Sequence, residues 1–182
     1  MTIIKRTVTV LALLLIAAAV ASAQETCKRD VEPQGGFSLC VPDGWSVETK
    51  ENQKFKMLFA PAAETFTANI NMKDDDSSQA LTGYVDASIK EILSNPPAIS
   101  ATSIKLVGRT DFATASGLTG ERVAFETEYK GLLIRTIQYY LDDGKNRKFL
   151  VTGTCLVKDK DTFDSVFERA AKSFRQEIIS PK

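Results

Sequence analysis

Three apolar-rich runs stand end to end late in the chain, and the turns between them dictate how they must pack. Leu118–Tyr129, Leu132–Leu141 and Phe149–Val157 are separated only by Lys130-Gly131 and by the seven residues 142–148, which open with the turn Asp142-Asp143-Gly144-Lys145. Connections this short cannot carry a crossover, so the runs are antiparallel neighbours. Leu132–Leu141 is apolar on both alternating faces, which predicts a central strand covered on both sides. Arg122, Glu126 and Glu128 occupy alternate positions of the first run. Together with Glu121 and Arg135 they read as a solvated cross-strand face.

The rest of the chain fits around such a sheet. Phe37, Leu39 and Val41 alternate with Ser38 and Cys40 as a strand does. Pro42-Asp43-Gly44 makes a tight turn, and Trp45 and Val47 begin the return strand. Lys56–Pro61, Phe66–Met72 and Ile104–Phe112 are further strands. Leu81, Tyr84, Val85, Ile89, Ile92 and Leu93 recur at helical spacing, and Asn95-Pro96-Pro97 stops that helix. Asp74-Asp75-Asp76-Ser77-Ser78 supplies its N-terminal caps and favourable charge. A second helix runs over Thr162–Gln176, capped by Asp161 or Thr162, with Phe163, Val166, Phe167, Ala170 and Phe174 on its inner face. Strands, helix, strands, helix is an α+β order. It predicts a central antiparallel β-sheet flanked by helices on both faces, an α/β/α sandwich. Residues 37–178 form one domain, with 24–36 as an N-terminal tail.

The first residues carry an address. Lys5 and Arg6 precede an apolar stretch from Val8 to Val20, and Ala21-Ser22-Ala23 follows. This is the secretory pattern, so 1–23 reads as a signal peptide. The stretch is short of the roughly 20 residues a membrane span needs. No other segment is apolar enough to span, so no integral membrane span is expected after cleavage. The mature chain is expected in the periplasm or secreted.

Charge and composition exclude several functions. The chain has 23 basic and 23 acidic residues, and loss of Lys5 and Arg6 leaves 21 against 23. That balance offers no basic stripe for nucleic acid. No histidine is present, which removes Ser-His-Asp and Cys-His catalysis and histidine-based metal sites. Three cysteines remain. Outside the cytoplasm a pair oxidises. Cys27 and Cys40 flank a loop containing Pro33 and Gly35-Gly36 that bends back easily, and their disulfide is favoured; spacing leaves the two other pairings open. Cys155 shares a strand face with Phe149 and Val151 and reads as a small buried hydrophobe.

The segment Phe37-x-Leu39-x-Val41-Pro42-Asp43-Gly44-Trp45 resembles the opening of PsbP-like and DcrB-like domains. The hairpin containing Arg135-Thr136-Ile137-Gln138-Tyr139-Tyr140 and the ending from Phe149 to Cys155, closed by a helix at Ser173-Phe174-Arg175, resemble them too. The resemblance implies the same sandwich. It also implies a non-enzyme that binds or stabilises a partner, as do family members in photosynthetic water oxidation, nuclear transport and bacterial envelopes. It brings no catalytic residue, no cofactor and no metal ligand; the histidines linked to metal retention in photosynthetic members have no counterpart here.

Candidate sites are few. Asp74–Asp76 lack the spacing of a calcium loop, and Asp159, Asp161 and Asp164 read as the start of the last helix. Trp45 reads first as a core anchor. Its alternative role is a ligand or partner face with Arg135 and Tyr140. The function expected is therefore an exported non-catalytic protein that binds an unidentified protein or envelope component. The alternatives are a small-molecule or metal-ion carrier and, last, a carboxylate- or thiol-dependent enzyme.

Overall fold

Ten strands and two helices alternate along the chain in a computed structural model that describes residues 27–94 and 101–178. The expected signal peptide and the Asn95-Pro96-Pro97 helix stop lie outside the described residues. In order the elements are β1 (Arg29–Glu32), β2 (Phe37–Cys40), β3 (Ser46–Glu48), β4 (Met57–Phe59), β5 (Asn69–Asp76), α1 (Leu81–Ser94), β6 (Ala101–Ala113), β7 (Thr119–Tyr129), β8 (Leu132–Asp142), β9 (Arg147–Leu156), a 3-10 turn (Val157–Asp159), α2 (Lys160–Lys172) and β10 (Arg175–Gln176). Seven strands form one sheet in the order β3-β4-β5-β9-β8-β7-β6, and β1-β2-β10 form a second. Every pairing is antiparallel.

The two turns behave as their residues require. Lys130 and Gly131 both have positive φ, 50° and 76°, the conformation that matches strand twist in a two-residue hairpin. Tyr129 therefore faces Leu132 across it. At the other turn the Asp142 and Asp143 carboxylates accept from the backbone N–H groups of Gly144 (2.9 Å) and Lys145 (2.8 Å). As expected, β8 is interior, between β7 and β9, although the middle strand of the sheet is β9.

Along β7 and β8, alternate side chains enter two separate apolar clusters. Ala124, Ile137, Tyr139 and Leu141 join Phe167, Ala170 and Ala171 of α2. Val123, Phe125 and Tyr140 join Val85 and Ile89 of α1. The first cluster is the larger and takes in Phe37 and Leu39 from the small sheet and Val41 just beyond β2.

Four expectations change. Residues 24–36 are not wholly a tail, because Arg29–Glu32 pairs with β2 as β1. The Pro42-Asp43-Gly44 turn closes with a Trp45 N–H to Pro42 carbonyl bond of 3.1 Å, yet it connects the two sheets instead of making a hairpin; β3 pairs with β4. α2 stops at Lys172, which frees Phe174 to turn into the core and Arg175–Gln176 to pair with β2. Its N-cap Asp159 makes no side-chain cap bond.

The fourth change concerns Asp74, Asp75 and Asp76. They do not cap a helix. They complete β5, opposite Phe149, Lys148 and Arg147 of β9. Asp74 is ion-paired with Arg147 and, at 2.6 Å, with Lys54. Burial opposes its charge, but the hydrogen bonds from Lys54 and Arg147 outweigh burial and hold its carboxyl below the ordinary range. A lowered folded-state pKa gives stability that is complete above the unfolded value, about 3.9, and is lost as pH falls through the folded value. Asp74→Asn should thus destabilise at pH 6, with the gap to wild type closing below about pH 4. Urea melts across this range check it; a gap constant with pH contradicts it.

Candidate functional site

Cys27 and Cys40 are joined in a disulfide, with Cα atoms 5.6 Å apart. It fastens the start of the described chain to the end of β2, where the Val41 N–H also donates to the Lys28 carbonyl at 2.8 Å. The Ser173 hydroxyl ties this corner to the end of α2, accepting from the Cys40 N–H and donating to the Ala170 carbonyl, both at 2.7 Å. Two chain-distant elements thus form a rigid angle.

A cleft of about 300 Å³ opens in that angle. The disulfide, Val41, Pro42 and Trp45 form one side, with Val166 and Ala170 of α2 on the other. The Trp45 ring is only partly buried and packs edge-on against Phe163 and Phe167, with centroids 6.1 and 6.3 Å away. The indole therefore serves both as a wedge under α2 and as a wall of the cleft. Asp43 and Arg169 line its mouth, both exposed. Arg109, Arg122, Arg135, Arg147 and Arg175 are all in ion pairs; Arg169 is in none among the described residues. Sequence periodicity assigned Val166 and Ala170 to the inner face of the last helix but passed over Arg169, which is one residue from Ala170 and three from Val166.

Arg135 and Tyr140 are not part of this cleft. Five residues apart on β8, they have opposite parity and face opposite sides of the sheet. Arg135 donates to Asp164 at 2.7–3.1 Å and to Glu126 at 3.1 Å, and Arg122 lies 3.5 Å from the same Asp164. Hydrogen bonding to Asp164 raises its pKa. Hence the expected solvated face of Arg122, Glu126 and Arg135 is instead clamped to α2, while Glu121, with Arg109 and Asp86, ties β7 and β6 to α1. Tyr140 is 2 % exposed and donates to Gln138 at 2.7 Å. It is a core residue, not a contact face.

Cys155 is wholly buried and unpaired. Desolvation, with Asp164 nearby, pushes its thiol up to about 12. Native protein at pH 8 should therefore react with a thiol reagent at least a hundredfold more slowly than a free cysteine, because the thiolate is the nucleophile. Release of one equivalent only on unfolding is the expected result; rapid native labelling contradicts it.

The other perturbed groups also move away from neutral pH. Tyr84, Tyr139 and Tyr140 are pushed up to about 12 by burial. Glu48 and Glu177 are held low by hydrogen bonds, from Lys50 and Ser46 and from Ser38 and Arg175 respectively. Among the described residues no three acidic or cysteine side chains gather as metal ligands. No helix among them is long and apolar enough to cross a membrane.

No protein-family model matches the chain, and no curated protein sequence does. Solved structures do match in shape. Cyanobacterial PsbP (CyanoP) from Synechocystis superposes with a TM-score of 0.62 at 12% identity, over 82% of this chain and 91% of that one. LpqN of Mycobacterium tuberculosis, described as involved in cell envelope biogenesis, gives 0.56 at 11% identity, over 86% and 88%. The Saccharomyces cerevisiae Ran-binding protein Mog1p gives 0.52 at 10% identity, over 82% and 94%. Identities this low speak for architecture alone, and the architecture of this chain is that of the PsbP-like domains.

Proposed function

We propose that this chain is an exported, non-catalytic protein that binds a protein or cell-envelope component through the Trp45 cleft. The observation that carries the reading is the cleft itself: a braced aromatic wall, an apolar floor and, at the mouth, an arginine in no ion pair among the described residues. An aromatic beside an arginine is the composition of a contact that contributes much of a binding energy. Support comes from the titratable groups with resolved shifts, which are moved away from the pKa near 7 that acid–base catalysis uses. The neighbours named for Ran binding and for envelope biogenesis are in keeping with such a role.

In this reading residues 1–23 are removed during export and the mature chain acts in the periplasm or outside the cell. The domain begins earlier than residue 37, with β1. α1 and α2 cover opposite sides of the large sheet, a sandwich supported by the alternation of β7 and β8 residues between the two clusters. At the Trp45 cleft a carrier role fits less well, since about 300 Å³ is at the small end for drug-sized ligands and the cleft is open.

The test is a photo-crosslinking residue in place of Asp43, in the cells that make the protein. One discrete adduct is expected in the extracytoplasmic fraction, on a chain beginning at Gln24, and Trp45→Ala should abolish it. An unprocessed chain in the cytosol, or an adduct indifferent to Trp45→Ala, would refute the reading.

A further inference from the structure

The side of the large sheet that carries α1 is only partly covered by it. α1 packs on Val123, Phe125, Tyr140 and Leu150. Beyond it, β5, β9 and β8 present two in-register rows: Asn69–Thr154–Thr136 and Asn71–Thr152–Gln138. All six are uncharged amides or hydroxyls. The other parity of the same strands is apolar core, including Ile70, Met72, Val151 and Ile137.

These side chains make little use of their hydrogen-bonding capacity within the protein. Asn69 donates to the Thr67 carbonyl at 3.3 Å, and Gln138 accepts from Tyr140. Asn71, Thr136, Thr152 and Thr154 have no side-chain hydrogen bond among the described residues. Two asparagines at alternate positions of one strand run against strand preference. A local rule broken without a structural gain marks a functional position. Beside these rows a cleft of about 430 Å³ is lined by Thr127, Thr136, Gln138 and Phe125, with Lys73 and Glu91, of opposite charge, also on its lining.

We propose that this floor is a binding site for an uncharged glycan, separate from the Trp45 cleft. Lys73 and Glu91 offset each other in charge and the six groups of the floor are neutral, so an ionic ligand would lose hydration that the floor does not repay. An apolar ligand would leave the carboxamides unpaired, which costs more than the contact returns. A sugar matches both demands. Its hydroxyls donate and accept together, as Asn and Gln do, and its C–H faces suit the half-buried Ile104 and the threonine methyls. Three strands at about 4.8 Å spacing, with rows about 7 Å apart, give a grid that suits a short chain of sugars laid across the strands.

The test titrates the mature chain from Gln24, labelled with nitrogen-15, with two uncharged probes: the trisaccharide of N-acetylglucosamine, and maltotriose, which lacks amides. Saturable shifts of the Asn69, Asn71 and Gln138 side-chain amides with either probe are expected. Thr152→Val, nearly isosteric, and Asn71→Ala should each weaken binding about tenfold with the melting temperature unchanged. No saturable shift with either probe at millimolar concentration overturns the proposal. So do shifts confined to the Trp45 cleft, or affinity unaltered in both variants.

Discussion

Phe37→Ala will lower the stability of this domain by about 4 kcal/mol and its melting temperature by about 10 °C. Phe37 is fully buried, and its ring meets Phe55 at 5.0 Å, Phe174 at 5.2 Å and Phe149 at 5.9 Å. Those rings come from the loop before β4, the segment after α2 and strand β9. Phe37 itself belongs to the small sheet. Truncation therefore removes the largest of the apolar side chains through which the small sheet enters the main core, and stiff aromatic neighbours on three sides cannot collapse into the space. Thermal melts by circular dichroism read the effect. A loss below about 1 kcal/mol would mean that the small sheet docks through other contacts, Leu39 and Val41 first among them.

Gly153→Val will cost about 3 kcal/mol through the opposite defect, overpacking. Gly153 lies in β9, between Ile70 of β5 and Ile137 of β8. A Cβ at this position would sit 2.3 Å from Cγ of Phe167 in α2. The helix rests directly on bare backbone, and any side chain lifts it. Lifting α2 would also disturb the Trp45 cleft, because Phe167 is the ring on which Trp45 leans. Gly153→Val should hence lose crosslinking from position 43 as well as stability. Pairing it with Phe167→Ala should restore part of the stability, since the two changes share one space. Strictly additive losses would show that the close approach is not the cause.

The elements were legible in the sequence wherever their cause was local. Leu132–Leu141 announces an interior strand because both its faces are apolar, and the Lys130-Gly131 corner fixes the hairpin through its own backbone. What sequence missed depends on partners far along the chain. Asp74 has the chemistry of a helix cap, and only Arg147, 73 residues away, makes it a strand residue. Pro42-Asp43-Gly44 was read correctly as a turn, but a turn does not reveal which sheet receives the next strand. Arg135 and Tyr140 failed as a shared face for a simple reason: strand parity separates them, and Asp164, which holds Arg135, lies 29 residues on. Trp45 was open to both roles, core anchor and contact, and its position between α2 and the cleft explains why neither excludes the other.

Strand β2 is bordered by the first strand of the domain on one side and by the last on the other. β1 and β10 are both antiparallel to it and so run parallel to each other, roughly 10 Å apart, with β1 starting beside Cys40 and β10 ending beside Phe37. The described chain thus enters the small sheet at one end and leaves it at the other, and a linker rejoining the two would have to run along β2 as well as across it, so a few glycines would not close the domain into a circle. Set into another protein, it would hold the two flanking segments of its host apart, one at each end of β2.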